Sequence, residues 1–264
     1  MSLKHRFDLV ILDWAGTMVD FGCAAPVRAL IEAFAAEGVA IDEPAARRDM
    51  GKAKIDHVTS LLQDPVVAAA WHARHGRPPD HRDIERLMDA LGPLMRAHAA
   101  RAATLIPGAR AAFQALQAAG LRVASSTGYT REMMAPVLAR AAEQGYRPEH
   151  LVCSGETPAG RPTPLMVYKA CAELGVWPLS RVVKVDDAAV GIAEGRNAGA
   201  FTVGVASGNE LALSPEAFEV LAPAARARRF EAAKAALRAA GADLVLDSVA
   251  ELVPALEQVA GAGA

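Results

Sequence analysis

Phe7-Asp-Leu-Val-Ile-Leu-Asp13-Trp-Ala15-Gly-Thr17-Met-Val-Asp20 is the stretch on which the fold class turns. Its apolar run reads as a buried strand. Gly16 marks a tight turn, and Asp13 stands at the strand's carboxyl end. In open α/β sheets ligands bind outside the carboxyl ends of the strands, so Asp13 falls where chemistry is done. A strand-end aspartate also serves as a helix cap, and the stretch alone leaves both roles open.

Beyond this strand the chain has two textures. Residues 24 to 101 carry only helical patterns rich in Ala, Leu and Arg. One helix begins near Pro26, a favoured first-turn residue, and stops at Gly38. Others are expected over Lys54 to Gln63, Pro65 to His75 and Asp80 to Ala100, the last with a kink or break at Gly92-Pro93. From Ile106 onward short β-rich runs alternate with helices. Leu121–Ser125, Leu151–Cys153, Val182–Val185, Phe201–Val205 and Asp243–Leu246 read as strands. Helices are expected at about 108 to 119, 130 to 144, 163 to 174, 188 to 198, 215 to 240 and 248 to 259. Such alternation implies βαβ units and a parallel sheet. The expected architecture is α/β, a doubly wound, Rossmann-like core (residues 1–22 and 102–264) with an inserted all-helical cap (residues 23–101).

A chain of 264 residues buries roughly three quarters of its unfolded surface and needs no disulfide or metal staple. Its 28 basic and 30 acidic residues give a formal charge of -2, so neither a nucleic-acid nor a membrane partner is expected. Arg226, Arg228 and Arg229 read as a solvated helical face. Cys23, Cys153 and Cys171 fit neither a disulfide framework nor a zinc site, which points to a reducing compartment. The first hydrophobic run is the Asp13 strand itself, so no signal segment is expected. No run of about 18 uncharged apolar residues is present. A cytoplasmic protein follows as the expectation.

Four segments carry polar residues into loops or turns. Asp13 to Thr17 is the first. Ser125-Ser-Thr127-Gly128-Tyr129-Thr130, where a strand runs into a helix, is the second, and hydroxyls with free N–H groups at such a start form an anion site. Pro158-Ala-Gly160-Arg161-Pro162 presents a guanidinium, and Val185-Asp186-Asp187 closes another strand. Together they offer a carboxylate nucleophile, a hydroxyl and amide cradle, a cation and a further carboxylate. Phosphoryl transfer needs those parts, since its catalysis is mostly positioning and charge neutralisation. A hard cation held by such oxygens is expected to be Mg²⁺.

The pattern D-x-x-G-T-x-x-D from Asp13 to Asp20 resembles the first motif of the haloacid dehalogenase superfamily, whose members use the first aspartate as a nucleophile, mostly on phosphorus. Most of its phosphatases carry a second aspartate two residues on, where this chain has Ala15. An ester's leaving oxygen must gain a proton, which a nearby carboxylic acid supplies, and Ala15 cannot. Carbon is the alternative leaving atom. A carbanion leaves phosphorus only if its electrons are delocalised, and a lysine Schiff base at an adjacent carbonyl supplies that sink. The insert contains Met50-Gly51-Lys52-Ala53-Lys54-Ile55-Asp56-His57. Lys54 and His57, three apart, share a face if the segment is helical. Spacing alone favours a solvated lysine surface.

The chain closely resembles the phosphonatase (phosphonoacetaldehyde hydrolase) family of that superfamily. The shared blocks are Asp13–Thr17 with Val19-Asp20, Gly22-Cys23 with Ala25-Pro26, Met50-Gly51 with Lys54–His57, Ser126–Met134, Pro158–Pro162, Glu194–Gly199 and Thr202–Gly204. The resemblance implies hydrolysis of the carbon–phosphorus bond of phosphonoacetaldehyde to acetaldehyde and phosphate, in 2-aminoethylphosphonate degradation. It implies Asp13 as nucleophile and Lys54 as Schiff-base former, with Lys52 at a position the family does not hold to lysine. Asp13, the Ala15 carbonyl and Asp187 would hold Mg²⁺. Thr127, Gly128 and Arg161 would cradle the phosphoryl group, with Met50, Gly51, His57, Tyr129 and Cys23 on the aldehyde side. His57 and Tyr129 either carry protons or pack and fix the lysine. Some members carry a further aspartate where this chain has Gly191, and Asp186 is the candidate substitute. Position 18 is Met where a small polar residue is common, its side chain expected to face away from the metal. Members tend to pair through the cap, so a homodimer is expected, and the apolar helix near Val27 to Phe34 is either its surface or cap core. Two other readings stand beside this one: a phosphate-ester phosphatase of the same fold, and a non-catalytic phosphate-binding protein.

Overall fold

A computed structural model of the chain describes residues 3–262. Strand β1 (Leu9–Leu12) leads through the loop at Asp13–Asp20 into five helices: α1 (Ala24–Ala36), α2 (Glu43–Arg48), α3 (Lys54–Gln63), α4 (Pro65–His75) and α5 (His81–Ala102). Then α6 (Ala109–Ala118), β2 (Arg122–Thr127), α7 (Arg131–Glu143), β3 (His150–Cys153), α8 (Leu165–Leu174), β4 (Val182–Asp186), α9 (Ala189–Ala198) and β5 (Phe201–Val205) alternate. Helices α10 (Pro215–Val220) and α11 (Pro223–Ala239), strand β6 (Leu244–Leu246) and helix α12 (Leu252–Ala262) complete the chain. Every strand pairing is parallel, and the strand order is β3-β2-β1-β4-β5-β6. That is a doubly wound sheet whose order reverses beside β1, the place where such folds bind ligands. All of β1 and β4 is buried, as expected of parallel strands covered on both faces.

Register aligns the site. Leu12 pairs with Ser125 on one side and with Val185 on the other. Asp13 extends the ladder by one bond, its N–H donating to the Val185 carbonyl at 3.0 Å. The carboxyl ends of β1, β2 and β4 thus stop at one level.

In the helical insert, α1 packs along α5 through Leu30, Ala33 and Phe34 against Leu87, Leu91 and Met95, all buried. The Val27–Phe34 face is therefore cap core within one copy of the chain, not an open surface. Asp64 ends α3 and caps α4, accepting from the Val66 and Val67 N–H groups. Asp80 and Asp83 form a reciprocal capping box at the start of α5.

Three local expectations need correction. Gly92-Pro93 does not break α5, which runs unbroken through Pro93 because its buried stripe Leu87, Leu91, Met95, Ala99 keeps one face on the insert's core. The single helix expected over 215 to 240 is two, since Pro223 starts a new first turn. Glu43–Arg48 is a helix nobody would assign from its length, signalled only by Asp42 as cap and Pro44 in the first turn.

The chain crosses between insert and sheet twice, and the crossings run side by side. The Asp20 N–H donates to the Thr104 carbonyl at 3.4 Å, Ile106 N–H to Met18 at 2.9 Å, and Val19 and Leu105 form an antiparallel bridge. At the first crossing Asp20 and Cys23 hold positive φ without being glycine, and the Asp20 carboxylate caps α1 through the Ala24 and Ala25 N–H groups. Among the described residues no helix is long and apolar enough to cross a membrane.

Candidate active site

At the switch point the strand ends and the insert enclose a small, tight cleft. Asp13, Ala15, Asp186 and Asp187 line its floor, Thr127, Gly128, Tyr129 and Arg161 one wall, and Cys23, Met50, Gly51 and Lys54 its roof. Every residue singled out from the sequence is there except His57.

The floor is a knot of buried charge. Arg161 Nη2 lies 2.9 Å from Asp13 Oδ1, and its Nε donates to Glu194 Oε2 at 2.9 Å. Its Nη2 also donates to the Ser126 carbonyl and hydroxyl at 2.9 and 3.0 Å. Lys184, buried mid-strand, reaches Asp186 Oδ2 at 2.5 Å and Glu194 Oε2 at 3.6 Å. Asp187 accepts from the Thr17 hydroxyl at 3.0 Å and from the Asn209 N–H at 2.6 Å. Gly16, at φ +90°, lets the first loop close here: a Cβ on it would stand 2.0 Å from Asp187 Oδ2. Burial, then the charge of Asp186, pushes the Asp13 carboxyl up to about 6 against the pull of Arg161 and Lys184. Burial, then Asp13 and Asp186, holds Asp187 well above the usual carboxylate range.

Oxygens of Asp13, Asp186 and Asp187 lie within 4.8 Å of one another. Four buried carboxylates, counting Glu194, face only two buried cations of the core, Lys184 and Arg161. A hard divalent cation matches both the oxygen donors and the missing charge, so the residues fit a metal.

The roof is electrostatically different. Lys54 opens α3 and is only 2% exposed, yet among the described residues its ammonium has neither a hydrogen bond nor an ion pair. Its nearest aromatic neighbour is Tyr129, whose ring centroid is 5.5 Å from Nζ. Burial brings Lys54 down to about 8, against opposing pulls from Cys23 and Asp13. Lys52, the other lysine of the motif, pairs with Asp49 at 2.5 Å near the surface. Lys52 is half-buried in that ion pair and Lys54 is buried without one, so the solvated reading fails for Lys54. His57 lies one turn along α3, fully buried and behind the cleft, with neither ring nitrogen hydrogen-bonded among the described residues. Burial, then the charges of Lys54 and Lys52, drives it down to about 2, so the imidazole is neutral. The Tyr129 hydroxyl is likewise buried without a partner. Cys23 is a buried thiol pushed well up by burial and by Asp187. Met18 is fully buried and does not line the cleft.

Roof and floor meet tightly at Gly128, where a Cβ would lie 2.6 Å from the Lys52 carbonyl and 2.7 Å from the Gly51 carbonyl. Gly51 itself holds φ +92°. Farther out, Arg96 of α5 pairs with Glu132 of α7. Lys184 and Glu194 are functional-site residues that sequence reasoning missed. The available signal was a lysine in the middle of the apolar run Val182-Val-Lys-Val185.

A model of haloacid dehalogenase-like hydrolases matches residues 7–199. The chain is 45% identical to a phosphonoacetaldehyde hydrolase of Paraburkholderia phytofirmans, over 97% of this chain and 96% of that one. It is 40% identical to one of Bacillus cereus, over 96% and 97%. Among solved structures, a phosphonoacetaldehyde hydrolase-like protein from Oleispira antarctica superposes with a TM-score of 0.94 at 40% identity, over 96% of this chain and 92% of that one. By its fold, its strand-end motifs and these near full-length likenesses, the chain belongs to the haloacid dehalogenase-like hydrolases and, among them, to the phosphonoacetaldehyde hydrolases.

Proposed function

We propose that this enzyme hydrolyses the carbon–phosphorus bond of phosphonoacetaldehyde, giving acetaldehyde and inorganic phosphate. One observation carries the reading: an unpaired buried lysine shares a small cleft with a strand-end aspartate that has alanine, not an acid, two residues on. The core then acts on phosphorus and the insert on the aldehyde.

Lys54 adds to the aldehyde carbon and expels water, giving an iminium. A lysine near its ordinary value is neutral only about once in a few thousand molecules at pH 7, whereas one at about 8 is neutral roughly one time in ten. Asp13 attacks phosphorus while Arg161, Thr127 and the Gly128 N–H hold the phosphoryl oxygens. The C–P bond breaks and its electron pair enters the iminium, leaving an enamine on Lys54 and phosphate on Asp13. Water cleaves the aspartyl phosphate. A proton reaches the enamine carbon, and a second water frees acetaldehyde and the amine. Tyr129, whose ring lies against this lysine, and His57, one turn along α3, either carry protons or fix the lysine in place. The Asp13 carboxylate, the Ala15 carbonyl and Asp187 would hold Mg²⁺, which would screen the phosphoryl charge from the attacking carboxylate.

We also place the enzyme in the reducing cytoplasm, which suits its three buried, unpaired cysteines, and propose a homodimer, to be checked by sedimentation. The residue range 23–101 is our proposed boundary for the cap.

Borohydride treatment with phosphonoacetaldehyde, followed by peptide mass mapping, tests the reaction. The expected result is a reduced two-carbon adduct on Lys54 that is lost when substrate is omitted. Phosphate released from a phosphate ester but not from phosphonoacetaldehyde, with no adduct, would make the protein an ester phosphatase. Phosphate binding with no turnover would make it a binding protein.

A further inference from the structure

We propose that Arg47 is a positioning residue: it fastens the roof segment to the first crossing and to the loop after β5, and so fixes where Lys54 stands over Asp13. The imine-forming role given above to Lys54 underlies the proposal.

Two neighbouring arginines of α2 have opposite surroundings. Arg48 keeps 60% of its side chain in solvent and pairs with Asp64, within the insert. Arg47 is only 7% exposed and reaches out of the insert. A charge buried this far is stable only when its donors are met. Arg47 Nε donates to Glu43 Oε1 at 2.8 Å, and Nη2 lies 2.7 Å from the same oxygen. Glu43 stands one turn earlier on α2, so this grip fixes the plane of the guanidinium. Nη1 then donates to the Gly22 carbonyl at 2.8 Å, with Asn209 Oδ1 at 3.5 Å. A cation donating to a carbonyl makes a stronger bond than a neutral donor would.

Gly22 is itself seated on the core. Its N–H donates to the Ser207 carbonyl at 3.0 Å. A Cβ there, where φ is +74°, would stand 1.7 Å from the Leu213 carbonyl oxygen. The crossing therefore lies directly on the loop of residues 206–213, and Arg47 ties both to α2. From the same residue the chain enters the roof, the Met50 N–H donating to the Arg47 carbonyl at 3.0 Å. Met50, Gly51 and Lys54 then line the cleft. The Lys54 ammonium has neither hydrogen bond nor ion pair among the described residues, only the Tyr129 ring beside it. Its place is thus set by the backbone that carries it, and Arg47 is where that backbone is fastened.

Arg47→Gln, Arg47→Lys and, as control, Arg48→Gln test this. Trace labelling of the substrate-free protein with acetic anhydride across pH, read by peptide mass mapping, gives the titration midpoint of Lys54 without any turnover. The wild-type midpoint is expected at about 8. Arg47→Gln should raise it by about one pH unit, since an unfastened roof admits water to the amine. The same variant should lower kcat for phosphonoacetaldehyde about 10²-fold, the scale of a misplacement of about 1 Å, with KM changed less than about threefold. Cys23, Asp13 and Arg161 are the charges that act on Lys54, so the shift reports the roof's position and not the lost charge of residue 47. Arg47→Lys keeps a donor but not the planar fork, and should give intermediate values of both. Arg48→Gln should match the wild type, because its ion pair is at the surface. A Lys54 midpoint that stays put in folded Arg47→Gln, or equal losses in Arg47→Gln and Arg48→Gln, would overturn the proposal. Should Arg47→Gln fail to fold, wild-type values in Arg47→Lys would overturn it instead. Wild-type enzyme that does not cleave phosphonoacetaldehyde would refute the proposed reaction and leave the labelling comparison intact.

Discussion

One buried lysine lines the roof of the cleft and another lies beneath its floor, and they live under opposite electrostatics. Lys184, from the sheet, is locked between Asp186 and Glu194. Lys54, from the insert, has no charged partner at all among the described residues and lies against a tyrosine ring. The sheet gathers carboxylates and cations into one buried knot where an anionic phosphoryl group must be held. The insert isolates one amine so that burial lowers its proton affinity. An amine placed among the carboxylates of the sheet would bind its proton more tightly, as the pull of Asp13 on Lys54 already shows in part.

This contrast can be broken most directly at Lys54. Lys54→Arg keeps the charge and the helix but supplies no nucleophilic amine, and acetaldehyde release should fall by about 10⁴-fold with an unchanged circular dichroism spectrum. Undiminished release in that variant would remove the insert from the chemistry. On the sheet side, Arg161→Lys keeps the charge but loses the multidentate grip on Asp13, Glu194 and Ser126. We expect kcat/KM to drop about 10²- to 10³-fold, with borohydride trapping on Lys54 still detectable. Loss of trapping as well would mean the two ends do not act separately.

The isolation of Lys54 also sets a pH dependence. The nucleophile is the neutral amine, and its depressed proton affinity, about 8, is the boundary. Adduct formation should therefore climb about tenfold per pH unit from pH 6.5 toward 8 and level off above it. A rate already flat at pH 7 would show that the amine is freed further by closure on substrate. A stability measurement separates packing from chemistry: Phe34→Ala, in the insert's core against Trp71, should cost about 3–5 kcal/mol in denaturant unfolding. The smallest effect belongs to Lys52→Gln, expected to change kcat/KM less than about twofold, since this half-buried lysine is paired with Asp49 and does not line the cleft. A large loss there would mean that Lys52, not Lys54, is the reactive lysine.

The sheet's layout was readable from sequence because parallel strands advertise themselves as apolar runs between helices, and the strand-end residues follow from topology. The helix pair α3–α4 was equally plain, since Asp64-Pro65 both stops one helix and starts the next. Pro93 misled because a proline's local cost was outweighed by the buried stripe on either side of it, a tertiary effect. The charge knot was harder for a related reason. Arg161 and Glu194 are far apart in sequence, and nothing local says that a lysine inside β4 points at a carboxylate instead of breaking the strand. Likewise the motif presents Lys52 and Lys54 as equals. Only the way α3 starts, with Lys54 buried in the roof, tells the isolated amine from the ion-paired one.

The paired crossings between insert and sheet carry a last consequence. Because the chain leaves at Asp20 and returns at Thr104 in adjacent, bridged segments, the sheet experiences the whole helical insert as though it were one long turn following β1. A loop of that kind can be exchanged for another without re-registering a single strand, since insertions whose ends lie close together are well tolerated. The nucleophile and its charge knot then become a fixed cartridge for phosphorus, and a change of leaving atom needs a different turn together with one residue of the cartridge, position 15.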